Sequence, residues 1–195
     1  MKYVKYVREH FSNPGFPVIK LYELKTALKA KGIKDTYLKR MINHLIKRGE
    51  LKRITKGAYT LQKDITTVGF AYQPFYYGLE NALTIRKMWE QATNPIIITT
   101  KKARPGLRKI GSQNYTIHRI KKNLFFGYEL VRYLDFWIPV SDPEKTIIDF
   151  AHFNHHLRKD VAKKLKKQVE MKKLAKYLEK YPLKTRTKTL KILNS

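Results

Sequence analysis

Three groups of side chains in this 195-residue chain have types and spacings that could do chemistry. The first is Asp142-Pro143-Glu144-Lys145. Metal-dependent nucleases set an Asp and an E-x-K pair on neighbouring strand positions, so that two carboxylates hold Mg²⁺ beside a lysine. Here Glu144 and Lys145 are adjacent at a helix start, and their side chains diverge by about 100°. Asp142 at the N-cap, Pro143 at the first helical position and Glu144 in the first turn fit helix-end chemistry instead. The second group is Asp149, His152 and His156, spaced to share one helix face, which can ligate zinc. No HExxH accompanies them, and histidines near a helix C-terminus also favour the dipole there. The third group is a polar run, Thr36, Tyr37, Lys39, Arg40, Asn43, His44 and Lys47, followed by Lys52, Arg53 and Lys56. Arginine can pair with guanine O6/N7 and asparagine with adenine N6/N7, while lysines meet phosphates. That chemistry is recognition, not catalysis. Gly78, Gly106, Gly111 and Gly127 are isolated and build no phosphate loop, and no Ser–His–Asp or paired acid/base set stands out. We expect no catalytic residue, no cofactor and no metal, and thus no enzyme.

The elements that must position the third group follow from periodicity. Tyr3, Val4, Val7 and Phe11 mark one face of a short helix, ended by Ser12-Asn13-Pro14-Gly15-Phe16-Pro17. Val18-Ile19 is extended. Leu21, Leu24 and Leu28 mark a second helix, with Gly32 as its left-handed cap. Asp35-Thr36 opens a third as N-cap residues do. Its Leu38, Met41, Ile42, Leu45 and Ile46 face inward, and the polar run faces out. Two alternating segments, 51–55 and 58–61, meet at Lys56-Gly57, a two-residue hairpin turn. Three helices and a hairpin in about 60 residues is the plan of a winged helix-turn-helix, whose third helix enters the major groove.

Charge supports a polyanionic partner. The chain has 42 basic and 15 acidic residues, net +27, and 31 of the basic residues are lysine. Glutamate is scarce, so ion-pair networks cannot absorb them. Residues 1–63 hold 16 basic and 4 acidic residues, residues 64–156 hold 12 and 8, and residues 157–195 hold 14 and 3. The two ends therefore carry the field. With 43% hydrophobic residues the chain can build a core, which rules out a wholly disordered basic tail. The absence of cysteine excludes disulfides, thiolate metal sites and a cysteine nucleophile. The first residues lack the apolar run of a signal peptide, and no apolar stretch approaches a membrane span. A cytoplasmic protein with no membrane partner is expected.

The middle reads as a mixed α/β domain. Asp64 to Ala71 is a linking segment. An aromatic-rich helix is expected from Phe75 to Gln91, then strands at 96–100, 107–110, 115–120, 125–131 and 136–140, and a helix from Asp142 through Phe153. Tyr72, Phe75, Tyr76, Tyr77, Phe125, Phe126, Phe136 and Trp137 fit core positions better than base-stacking positions. Three passages resemble one family. Arg53-Ile54-Thr55-Lys56-Gly57-Ala58-Tyr59 is similar to its wing. Tyr76-Tyr77-Gly78-Leu79-Glu80-Asn81-Ala82-Leu83 is similar to its aromatic helix. Ile138-Pro139-Val140-Ser141-Asp142-Pro143-Glu144-Lys145-Thr146-Ile147-Ile148-Asp149 is similar to a third segment. In this order they resemble the AbiEi-type antitoxins and related transcriptional regulators of viral defence systems, over about residues 20 to 150. The resemblance implies a winged helix that binds its own operator. It also implies a C-terminal α/β domain involved in antitoxicity, beside a nucleotidyltransferase-type toxin encoded nearby. Asn81 stands where serine is common and Ala58 where leucine is common, and the tail is more basic than the pattern.

In the tail, Leu157, Val161, Leu165 and Val169 fall at four-residue steps, and Leu174, Leu178 and Tyr181 repeat the stripe before Pro182; a last short helix is expected at 185–193. Such polar helices need their stripe packed on the middle domain or on a second subunit. Lys163-Lys164, Lys166-Lys167 and Lys172-Lys173 form clusters that suit phosphates. The expectation is an α+β chain in three parts. Residues 1–63 are a winged helix-turn-helix DNA-binding domain, 64–156 a mixed α/β antitoxin-like domain, and 157–195 a basic helical tail. It would regulate transcription by occupying double-stranded operator DNA, with a homodimer suited to two half-sites. The alternatives are an antitoxin acting mainly through a protein partner, and an RNA-binding protein.

Overall fold

The computed structural model describes residues 2–13 and 15–194. Pro14, expected to help end the first helix, lies outside the described residues. The protein is α+β, with helices first, mixed sheets next and helices last. It forms two compact units. One holds residues 1–73 and 108–114; the other holds residues 74–107 and 115–195.

The first unit runs α1 (Lys2–Phe11), β1 (Ile19–Lys20), α2 (Leu21–Lys29), α3 (Asp35–Lys47), β2 (Lys52–Thr55) and β3 (Ala58–Thr60). Val7, Phe11, Ile19, Leu24, Leu28, Leu38, Met41, Leu45 and Leu51 make its core, so the apolar stripes of all three helices turn to one centre. Ile46 is half-buried against it. β3 sits between β1 and β2 in an antiparallel three-stranded sheet. The Lys56-Gly57 turn has Gly57 at φ +75°, which a side chain would strain. Its carbonyl accepts the Leu21 N–H at 2.9 Å, tying the turn to the start of α2.

Two expectations change here. Asp35 is not an N-cap: the cap position is Lys34, whose side chain makes no capping bond. Asp35 is the first helical residue, where its charge still favours the helix dipole, and it pairs with Lys25 at 3.2 Å. The segment read as a link is a 3-10 helix, Ile65–Tyr72, capped by Asp64, which accepts the Thr66 N–H at 2.7 Å. Thr66, Thr67, Val68, Gly69, Ala71 and Tyr72 are buried, which a free linker would not be.

The chain continues through β4 (Phe75–Tyr77), α4 (Leu79–Ile85), β5 (Ile96–Thr99), β6 (Gly106–Ile110), β7 (Gln113–Arg119), β8 (Tyr128–Tyr133), β9 (Phe136–Ser141), α5 (Pro143–His152), α6 (Lys159–Lys166), α7 (Met171–Leu178) and α8 (Leu183–Asn194); apart from residues 108–114, at the end of β6 and the start of β7, these belong to the second unit. The six strands run β6-β7-β5-β4-β9-β8. β4 pairs antiparallel with β5 and parallel with β9. The helix expected from Phe75 is therefore a central strand followed by a short helix. Its three aromatics alternate between the two faces of the sheet and all are buried, so both faces are covered at this strand. Gly78 ends the strand where a Cβ would run into the Ile98 side chain.

The tail completes this unit. Leu157, Val161, Leu165, Leu174, Leu178, Tyr181 and Leu193 join Tyr76, Ile98, Ile147, Ile148 and Phe150 in one core. The narrow stripe thus packs on the middle of the chain, which is what lets such lysine-rich helices stand. Val169 is half-buried against the same core. Among the described residues no helix is long and apolar enough to cross a membrane.

Candidate nucleic-acid interface

On α3 the inward stripe Leu38, Met41, Ile42 and Leu45 is buried, so the opposite face must look outward. Thr36, Tyr37, Lys39, Arg40, Asn43 and Lys47 are exposed, and His44 is half-buried. The helix has 13 residues and spans about 20 Å. On the hairpin Arg53 and Lys56 are exposed and Lys52 is half-buried. All ten residues lie in the first unit. Tyr37 packs edge-on against Tyr3 of α1, with ring centroids 5.8 Å apart, which holds the start of α3.

The acids of this region are used elsewhere. Residues 1–63 have four acids, Glu9, Glu23, Asp35 and Glu50. Glu9 pairs with Lys5, and Glu23 accepts the Lys20 N–H at 2.6 Å. Asp35 holds Lys25. Glu50 takes Arg8 at 2.6 Å and Arg48 at 2.8 Å, and the Arg8 hydrogen bond is the main cause that lowers its pKa. Among the described residues no carboxylate pairs with Lys39, Arg40, Lys47, Lys52, Arg53 or Lys56. A helix face and a hairpin whose cations have no carboxylate partner among the described residues can meet phosphates and base edges without first breaking an ion pair.

A second set of cations lies on the tail helices. Lys159, Lys163 and Lys167 follow one another by four residues along α6 and its C-cap. Lys172, Lys176 and Lys180 do the same along α7 and just beyond it. Lys184, Lys188 and Lys191 mark α8. Steps of four residues place successive lysines about 6 Å apart along a helix. Some are committed: Lys188 donates to Asn154 at 2.6 Å, Lys180 lies over Phe126, and Lys166 donates to the Leu193 carbonyl at 2.8 Å. Lys159, Lys163, Lys164, Lys167, Lys172, Lys176, Lys184 and Lys191 are exposed.

The side chains of the Asp142-Pro143-Glu144-Lys145 run make structural bonds. Asp142 caps α5, accepting the Lys145 N–H at 2.7 Å. Its other oxygen takes Tyr177 at 2.9 Å and Lys173 at 3.0 Å. Burial and the bond to Asp142 push the Tyr177 phenol up to about 12. Glu144 accepts the Glu170 N–H at 2.7 Å and pairs with Lys173 at 2.9 Å. Burial works against the Lys173 charge, but Glu144 and Asp142 outweigh it and raise its pKa. Lys145 is fully buried, donates to the Tyr76 hydroxyl at 2.7 Å and bonds Asp149. Tyr76 donates to the other Asp149 oxygen at 2.9 Å. Burial pulls Lys145 down and pushes Asp149 up, and each limits the shift of the other. These side chains bind α5 to β4, α7 and each other.

The zinc-like trio does not assemble. α5 ends at His152, Asn154 turns the chain at φ +59°, and His156 lies outside the helix and exposed. Asp149 is already held by Lys145 and Tyr76. Among the described residues no three His, Asp or Glu side chains could hold a metal ion. Trp137 departs from its expected core position and is 62% exposed. Strand alternation puts it on the face opposite Ile138, which is buried, but with both residues apolar it does not say which face is open.

The fold and the exposed surfaces together define an α+β protein with a basic helical face and hairpin in one unit and lysine-rich helices in the other. No family model matches the chain, and no curated protein sequence matches it. Its fold is similar to the crystal structure of the RV2827C protein from Mycobacterium tuberculosis, with a TM-score of 0.67 and 14% identity. The match covers 98% of this chain and 75% of that one.

Proposed function

We propose that the protein is a DNA-binding transcriptional regulator whose first unit is a winged helix-turn-helix, as in the AbiEi-type antitoxins that its motifs resemble. The observation that carries this reading is the outward face of α3 with the adjoining hairpin, whose cations have no carboxylate partner among the described residues. α3 is the recognition helix and β2–β3 the wing. Arg40 and Asn43 read bases; Lys39, Lys47, Lys52, Arg53 and Lys56 hold phosphates. The tail lysines add phosphate contacts from the second unit. The antitoxin-like role adds a nucleotidyltransferase-type toxin encoded beside the gene.

Electrophoretic shift of the protein's own promoter fragment tests the reading. Binding should be tighter than to unrelated duplex DNA at physiological salt. Equal affinity for both would remove the claim of specificity, and tighter binding to single-stranded or folded RNA would replace it with an RNA partner. Log K should fall with log salt by roughly 0.9 per phosphate neutralised.

A further inference from the structure

Four exposed apolar side chains of the second unit sit together on the β8–β9 hairpin. Leu130 is 64% exposed, Leu134 62% and Trp137 62%, and Tyr128 is partly open. β8 is the end strand of the six-stranded sheet, so one of its sides has no neighbour in that sheet. Leu130 stands opposite Pro139 and Arg132 opposite Trp137, so these four and Tyr128 share one face. Tyr128 stacks on Tyr76, which bonds Asp149 of α5, so this is the face that carries α5. Leu134 opens the two-residue turn at φ +51°, a region a leucine disfavours, with its side chain in solvent.

Charge narrows the occupant. From residue 124 to 144 the only basic side chain is Arg132; of the four acids there, Asp142 and Glu144 are held by Lys173 and Glu129 by Arg86, which leaves Arg132 and Asp135 and a near-neutral hairpin. In a chain of net +27 such a near-neutral surface offers little to phosphate. Open edge strands pair with other strands unless a charge, a proline or a cover prevents it; of the two charges on β8, Glu129 is held by Arg86 and Arg132 is exposed, so a mating strand has to accommodate Arg132.

We propose that this edge joins a second copy of the chain, β8 pairing antiparallel with its twofold mate. The hairpin closes through Tyr133 and Phe136 around Leu134-Asp135. Alternation from that closing pair turns the N–H and C=O groups of Tyr133, Val131 and Glu129 towards β9, and those of Arg132, Leu130 and Tyr128 towards the open edge. A twofold at Leu130 pairs each outward residue with another. Leu130 meets the partner's Leu130, and Tyr128 meets the partner's Arg132 in a cation–π contact at each end. About six main-chain hydrogen bonds form. A twofold at Arg132 would instead oppose two arginines. Contact here joins near-neutral parts of the two chains, where their mutual repulsion is weak. A dimer carries two copies of α3, which half-site operators require. The pairing rests on the hairpin alone, so it stands or falls separately from the DNA reading.

Sedimentation velocity on the full chain over a concentration series at physiological salt tests it. The mass should rise from 23.1 kDa towards twice that value. Leu130→Lys should weaken dimerisation about tenfold or more, with unchanged circular dichroism and melting. Hydrogen exchange of the unaltered chain keeps the test open if that variant misfolds. The amides of Tyr128, Leu130 and Arg132 should gain protection as concentration rises, while those of Glu129 and Val131 should not. A chain that stays monomeric, a dimer that Leu130→Lys leaves intact, or exchange at these amides that ignores concentration overturns the proposal.

Discussion

Helices α3 and α5 both carry charged residues at helical spacing, and they use them in opposite ways. On α3, Lys39, Arg40 and Lys47 stand in solvent, and the four acids of that region are bound to other residues. On α5, Lys145 and Asp149 are fully buried and bonded to each other and to Tyr76. One set of charges is kept free at little cost, because water solvates it. The other is removed from water, so each member depends on its partners. The difference teaches that charges at the same helical spacing are structural where they are buried and paired, and open to a ligand where they stand in solvent.

The sharpest way to break this contrast is to cut the buried pair. Asp149→Ala leaves Lys145 buried without its carboxylate and should destabilise the second unit by about 3–5 kcal/mol. Urea denaturation measures it. Replacing both members, Lys145→Met with Asp149→Leu, should recover much of the loss, because no charge is stranded. A double variant as unstable as the single one would mean that the ions themselves, and not their pairing, hold the unit.

Arg40→Ala should show the reverse profile. It should lower operator affinity by about 1–3 kcal/mol and relax base preference at one position. Its unfolding midpoint should stay that of the unaltered chain. A shift in melting with no change in DNA affinity would place Arg40 among the structural charges.

The histidines extend the contrast to pH. His118 on β7 packs against Phe153 and His155, with ring centroids at 4.6 and 5.0 Å. Burial first, and the neighbouring His155 second, lower its pKa to about 4. The unfolded chain takes that proton near pH 6.5. Between those values the unfolded state binds more protons, so stability is full above about pH 6.5 and falls as pH drops towards 4. His152 shifts the same way, through burial and then Lys145. Denaturation midpoints across this window should flatten in His118→Gln; an unaltered pH slope would assign the acid sensitivity to other groups.

The smallest effect is expected at the wing. Lys56→Ala should weaken all duplex sequences about equally and reduce the salt slope by roughly 0.9 if one phosphate contact is lost. An effect confined to one operator would make Lys56 a base reader.

Much of the first unit was legible because its signals are local. The stripes Leu21–Leu24–Leu28 and Leu38–Met41–Leu45 could turn only one face inward, and Gly57 marked the hairpin turn. The polar residues of α3 were therefore assignable to solvent before any contact was known. The middle was less legible. Phe75-Tyr76-Tyr77 has no period that separates a central strand from a buried helix; pairing with β5 and β9, which lie far along the chain, decided it. The Asp142 cap was readable from Asp-Pro-Glu. The partners of Lys145 were not, because Tyr76 is 69 residues away.

The amino-acid sequence by itself determined the charge asymmetry, the three amphipathic helices of the first unit, the capped start of α5 and the apolar stripe of the tail. Each depends on neighbours within a few turns or on composition alone. Tertiary structure alone decided which charges are free. Whether a lysine is a ligand group or a core ion depends on the carboxylates and rings brought to it from distant segments, and on the water left around it.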